Sequence, residues 1–308
     1  MPSAEQRLFI LDCDLSHWSS RSGRIVSCRV DGSDQQTVVK DLHELPDGIA
    51  IDHARGHIYW TNMGTSGFSS NDGSIQRCNL DGTSITTIIP QASTFTPKQI
   101  AIAQKAQKLY WCDREGMRVM RSNLDGSSIE TLIQTGATAS DRQDKTRWCV
   151  GIALDEERGH FYWSQKGPSK GNVGRIFRAP ITGPPAAYPA ARPDVELLLD
   201  GLPEPIDLEL DAERQLLYWT DRGDPPRGNT LNRAFVGAGC GDGKLERRIL
   251  AIRLHETIGL ALDAGNQVVY VTDLAGGVYR VKVDGDEGEK EVLFSELGDL
   301  TGIALAEN

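Results

Sequence analysis

The amino-acid sequence predicts an all-β fold: a six-bladed β-propeller of four-stranded blades, its ring closed by the C-terminal strand pairing with the N-terminal blade. Three elements that recur about every 50 residues predict it. The first is an aromatic strand: Phe9-Ile10-Leu11-Asp12, Tyr59-Trp60-Thr61-Asn62, Tyr110-Trp111-Cys112-Asp113, Tyr162-Trp163-Ser164-Gln165, Tyr218-Trp219-Thr220-Asp221 and Tyr270-Val271-Thr272-Asp273. The second is a strand running into an Asp-Gly turn, at Asp31-Gly32, Asp81-Gly82, Asp125-Gly126 and Asp284-Gly285. The third is a small-residue strand, as in Gly48-Ile49-Ala50-Ile51, Gly151-Ile152-Ala153-Leu154, Gly259-Leu260-Ala261-Leu262 and Gly302-Ile303-Ala304-Leu305.

Each element has a physical reason. Aromatic and β-branched side chains favour a pleated, buried surface. Asp-Gly marks a hairpin because glycine accepts positive φ without steric cost. Small residues suit the innermost strand, where six strands crowd around one axis. The chain opens on an aromatic strand and ends on a small-residue strand, so Thr301 to Leu305 is expected beside Leu8 to Asp12, which closes the ring and removes an exposed sheet edge. A single domain over 1–308 follows, because each repeat buries its face on its neighbour.

The balance of 33 basic and 43 acidic residues gives a net charge of −10. Such a chain repels phosphate backbones and anionic lipid, so neither nucleic acid nor membrane is an expected partner. The first residues, Met1 to Leu15, show no basic segment followed by an apolar run of signal-peptide length. The six cysteines, Cys13, Cys28, Cys78, Cys112, Cys149 and Cys240, are scattered and mostly within strand-like runs. Free thiols and a cytoplasmic location are expected.

The repeats resemble the YWTD repeats of the low-density-lipoprotein-receptor propellers over nearly the whole chain. That resemblance implies that Asp12, Asp113, Asp221 and Asp273 bond to backbone across blades as framework. Blades 4 and 5 depart from the pattern. Ser164-Gln165 replaces Thr-Asp, and Ile181-Thr182-Gly183 and Val236-Gly237 replace the Asp-Gly turn. The irregular loops lie there, at 184–193 and 237–243.

A propeller binds ligands at a mouth of its channel, where loops leaving the aromatic strands meet loops entering the inner strands. At the positions equivalent to Gly48, Gln99 and Asp207 replace glycine, and Glu209 replaces an alanine two residues on. Period-two alternation puts Asp207 and Glu209 on the same face, towards the channel. One residue before this register stand Asp47, Lys98, Val150, Ile206, Ile258 and Thr301. The loops add His17 and Trp18, Phe68, Arg147 and Trp148, and His255; Trp18 and Phe68 occupy matching positions on adjacent blades. A loop histidine is usually just solvated, and a loop tryptophan is as often a packing lid as a platform. The functional reading takes His17, Lys98, Arg147, Asp207 and His255 as catalytic, and Trp18, Asp47, Phe68, Gln99 and Trp148 as substrate-binding. It expects no cofactor and no metal ligand.

Three readings compete. An adhesion or receptor-type module follows from the repeats and leaves a protein partner open. A gluconolactonase-like, metal-dependent hydrolase needs oxygen ligands converging on a divalent ion, and Lys98 among Asp47, Gln99, Asp207 and Glu209 opposes that. The third rests on a resemblance in length and repeat style to fungal hetero-Diels–Alderases of tropolone sesquiterpenoid pathways. It implies apolar small-molecule substrates, a tropolone quinone methide and a humulene-type terpene. The lack of Gly-x-Ser-x-Gly, His-Glu-x-x-His and paired Cys-x-x-Cys motifs fits a reaction that uses no protein nucleophile.

Overall fold

A computed structural model describes residues 6–183, 189–237, 245–284 and 289–306. Six four-stranded antiparallel sheets form the blades. Blade 1 holds β1 (Arg7–Asp12), β2 (Gly23–Arg29) and β3 (Gln36–Leu42). Blade 2 runs β4 (Pro46–Asp52), β5 (His57–Asn62), β6 (Gly73–Asn79) and β7 (Thr86–Thr94). Blade 3 runs β8 (Pro97–Ala103), β9 (Lys108–Asp113), β10 (Arg118–Asn123) and β11 (Glu130–Gln134). Blade 4 has β12 (Cys149–Asp155), β13 (His160–Gln165), β14 (Gly174–Pro180) and β15 (Glu196–Leu202). Blade 5 has β16 (Pro205–Asp211), β17 (Leu216–Asp221), β18 (Thr230–Phe235) and β19 (Arg248–Ala251). Blade 6 has β20 (Thr257–Asp263), β21 (Val268–Asp273), β22 (Val278–Lys282) and β23 (Glu291–Phe294), and the last strand, β24 (Leu300–Ala306), returns to blade 1.

The ring closes as the sequence predicts: β24 lies antiparallel to β1, with Leu8 opposite Leu305 and Ile10 opposite Ile303. The Tyr-Trp dipeptide explains how blades adhere. Period-two alternation sends its two side chains to opposite faces of the blade. Tyr59 then shares a core cluster with Trp111 of the next blade, Tyr110 with Trp163, and Tyr162 with Trp219. Tyr218 packs with Val271, Tyr270 with Ile10, and Phe9 with Trp60, completing the circle. All four of these tryptophans are essentially inaccessible to solvent, so truncating one to alanine would cost about 3–5 kcal/mol.

The residue after Tyr-Trp stitches inner strands together. Thr61 Oγ1 accepts the Gly48 N–H at 2.8 Å and donates to the Lys98 carbonyl of the next blade at 2.7 Å. Ser164 does the same for Gly151 and Ile206, and Thr220 for Asp207 and Ile258. Cys112 supplies only a thiol contact, 3.2 Å from the Gly151 carbonyl. The repeat aspartates act as the resemblance implies, since each accepts N–H groups from the linker that enters its blade. Asp12 takes Asp299, Asp113 takes Phe95 and Thr96, Asp221 takes Glu204 and Asp273 takes His255.

Five cysteines are buried free thiols, and Cys240 lies outside the described residues, as do 184–188 and most of 237–243. Among the described residues no helix is long and apolar enough to cross a membrane.

Candidate functional site

The upper end of the channel is where the linkers between blades and the loops between second and third strands meet. The six inner strands begin there, and their first inward positions divide into two halves. Blades 4, 5 and 6 contribute Val150, Ile206 and Ile258, which cluster with Leu274. Blades 1, 2 and 3 contribute Thr301, Asp47 and Lys98, all buried. The mouth is therefore apolar on one half and polar on the other.

In the polar half Lys98 Nζ donates to Asp47 Oδ1 and lies 3.2 Å from Met63 Sδ, while Gln99 Nε2 reaches Asp47 Oδ2 at 3.4 Å. Burial holds the Lys98 ammonium below the usual lysine range, and the Asp47 carboxylate opposes that shift. A second buried pair sits beside it. Lys166 Nζ donates to Glu204 Oε1 at 2.6 Å, and burial lowers the Lys166 pKa to about 8. Glu204 also accepts from the Ser169 hydroxyl and the Lys170 N–H, each at 3.2 Å, and Arg222 approaches it at 3.4 Å.

Above these pairs runs a chain of rings and cations. Trp18 and Phe68 meet edge to face with centroids 6.1 Å apart. The Arg114 guanidinium lies 4.6 Å from the Phe68 ring and 5.1 Å from the Trp148 ring. Lys166 and Lys145 approach Trp148 at 5.7 and 5.5 Å. Arg114 is itself neutralised by Glu115 at 2.8 Å. Such ring–cation contacts suit flat, electron-rich or carbonyl-bearing ligands.

The structure thus brings Trp18, Asp47, Phe68, Lys98, Gln99 and Trp148 to one mouth. It separates the others. His17 is exposed on the rim and bonded to Asp14 at 2.6 Å, which raises its pKa. His255 is also mostly exposed, with Nδ1 3.8 Å from Asp273. Arg147, expected as a donor in the mouth, turns instead into a cleft on the flank of the ring, where it pairs with Asp144 at 3.2 Å. Its linker carries Trp148 and Arg147 to opposite sides, so only one reaches the channel. Asp207 is held in the channel wall by the Leu208 and Leu260 N–H groups at 2.9 and 3.0 Å, and burial pushes its carboxyl well above the usual range. Glu209 lines a cavity of about 260 Å³ at the lower end.

Sequence reasoning missed Lys166, Arg114 and Arg222. A register signal existed: the residue after the repeat aspartate position is Cys13, Met63, Arg114, Lys166, Arg222 and Leu274, so three consecutive blades carry a cation there. Asp47 is occupied by Lys98 and Asp207 by backbone amides, so the four oxygen-bearing inner side chains do not converge on one point. Among the described residues no group of three or more His, Cys, Asp or Glu side chains is arranged to hold a metal ion.

Fold and mouth define a six-bladed propeller with an amphipathic upper opening. No family model matches the chain. It belongs to the family of a protein of Pyricularia oryzae named low-density lipoprotein receptor-related protein 1, with 58% identity over 308 residues and 97% of each chain covered. A protein of Cochliobolus heterostrophus named 3-hydroxyacyl-CoA dehydrogenase-like protein LAM1 is 43% identical over 314 residues. The match takes in 99% of this chain but only 65% of that relative's length. Among solved structures, a chain of the nidogen/laminin complex superposes with a TM-score of 0.73 at 20% identity, over 98% of both chains, a likeness of fold.

Proposed function

We propose that the chain is a small-molecule enzyme of fungal secondary metabolism, working at the upper mouth as a hetero-Diels–Alderase that joins a tropolone quinone methide to a humulene-type terpene. The observation that carries this reading is the division of the mouth into an apolar half and a polar half beneath a ring-and-cation arch. A 43% identical fungal relative, named as a protein like 3-hydroxyacyl-CoA dehydrogenase and covered over 65% of its length, supports the enzyme class.

The reaction forms one C–C and one C–O bond together from a heterodiene and an alkene, and no atom is lost in the step. It needs two partners held in one orientation, which can supply about 7–11 kcal/mol. Leu274, backed by the buried Val150, Ile206 and Ile258, offers the apolar wall for the terpene, and Phe68 and Trp148 offer flat faces for the tropolone ring. Negative charge grows on the heterodiene oxygen in the transition state. A buried ammonium, Lys166 held by Glu204 or Lys98 held by Asp47, is a donor pre-aimed in a low-dielectric site.

The test incubates the purified protein with a tropolone quinone-methide precursor and humulene and follows adducts by chiral chromatography with mass detection. The expected result is one stereoisomer formed faster than background, with Lys166→Gln slowing it about 10²-fold. A racemic adduct at the background rate would overturn the reading and return the mouth to ligand binding without catalysis.

A further inference from the structure

Blade 4 departs from the repeat in three places, and all three meet on one flank of the ring. Gln165 stands where the other aromatic strands carry an acid or asparagine, residues 135–148 make a long linker into the blade, and a long connection joins β14 to β15. In blades 1, 3, 5 and 6 the aspartate binds linker N–H groups and draws the linker across the gap between blades. Gln165 instead accepts from Arg175 at 2.7 Å. Between blades 3 and 4 a cleft of about 460 Å³ remains, walled by Asp144, Thr146 and Arg147 of the linker and Pro189 to Arg192 of the connection.

The floor is aromatic, because Phe177 lies stacked on Trp163 with centroids 5.2 Å apart and planes 15° from parallel. Three guanidiniums surround it. Arg192 is tied to Asp194 at 2.7 Å and Arg147 to Asp144 at 3.2 Å. Arg175 differs, since its Nη2 meets only neutral acceptors, the Thr146 carbonyl at 2.8 Å and Gln165 Oε1. Among the described residues no carboxylate lies within ion-pair reach of it. It also lies 5.3 Å from the Phe177 ring.

We propose that this cleft is a second binding site, and that it takes a small aromatic carboxylate whose ring rests on the Phe177–Trp163 floor and whose carboxylate pairs with Arg175. The volume is that of a metabolite site. Both Nη2 hydrogens of Arg175 are spent on Thr146 and Gln165, so the carboxylate takes a charge-assisted hydrogen bond from Nη1. One unneutralised cation selects one negative charge, and the flat floor selects a flat body. The site stands on observations separate from the mouth, so it holds whatever reaction occurs there.

Isothermal titration calorimetry on the full chain tests this with 1-naphthoate and its neutral analogue 1-naphthamide. One saturable site for 1-naphthoate is expected, with 1-naphthamide weaker by about tenfold or more. Arg175→Gln should weaken 1-naphthoate by a similar factor of about ten, and Ala190→Trp, which fills the cleft from an exposed connection, should abolish binding. Phe68→Leu in the mouth should leave it unchanged. Wild-type protein that binds neither probe, or both equally, overturns the proposal. So does unchanged binding in Ala190→Trp or Arg175→Gln, or a loss in Phe68→Leu that moves the site to the mouth.

Discussion

The two ends of one channel are built from the same six inner strands and differ in almost everything chemical. At the lower end the turns are near copies: Asp52, Asp155, Asp211 and Asp263 each accept a turn N–H from three residues on, at 2.9 to 3.2 Å. Between them lie mostly alanines, isoleucines and leucines, with one acid, Glu209, that has no cation partner among the described residues. At the upper end the loops differ in length from blade to blade and bring in two buried lysine–carboxylate pairs and three aromatic rings. Repetition makes the scaffold, and departures from repetition make the chemistry.

The largest expected effect comes from unbalancing the upper end. Asp47→Leu would leave the Lys98 ammonium buried with only a thioether beside it, and should destabilise the fold by about 3–5 kcal/mol in urea unfolding. Next are the straps between inner strands. Thr220→Val removes a hydroxyl that serves both Asp207 N–H and Ile258 carbonyl, at a cost of about 1–3 kcal/mol. Cys112→Val should cost less, because a thiol is a weak donor. Equal losses at the two positions would contradict the greater share assigned to the hydroxyl.

Glu209 sharpens the contrast from below. Burial raises its pKa from 4.5 to about 7. The folded state then holds a proton that the unfolded chain has released, so stability falls as pH rises from about 4.5 through about 7. Glu209→Gln should remove that slope, leaving the variant more stable than wild type at pH 8 by on the order of 1–2 kcal/mol, with no difference at pH 4. Thermal unfolding at both pH values would show it. The smallest effect is expected at the rim: His17→Ala and His255→Ala should leave both the melting midpoint and any adduct formation unchanged.

The scaffold was nearly all legible in the sequence. Tyr-Trp spacing located the second strands, and the chain's first and last strands foretold the closure of Leu8 on Leu305. Trp18 and Phe68 were matched by position alone, and they do touch. The site was legible where its residues sit on strands in register, as Asp47 and Lys98 do, or in loops of equal spacing, as Trp18 and Phe68 do. Arg147 could not be placed, because the long linker 135–148 follows no repeat and decides by its own turns which side chains face the channel. Lys166 was overlooked although its register repeats at Arg114 and Arg222, because its partner Glu204 belongs to the linker into the next blade.

The most direct measurement is the single-turnover rate and stereoselectivity of adduct formation in a matched pair of variants, one at each end of the channel. If the upper mouth is the catalytic site, Trp148→Leu will lose about 10²-fold in rate and yield mixed stereoisomers, while Glu209→Gln will match wild type. A loss in Glu209→Gln with Trp148→Leu unaffected would contradict the account and move the chemistry to the lower end.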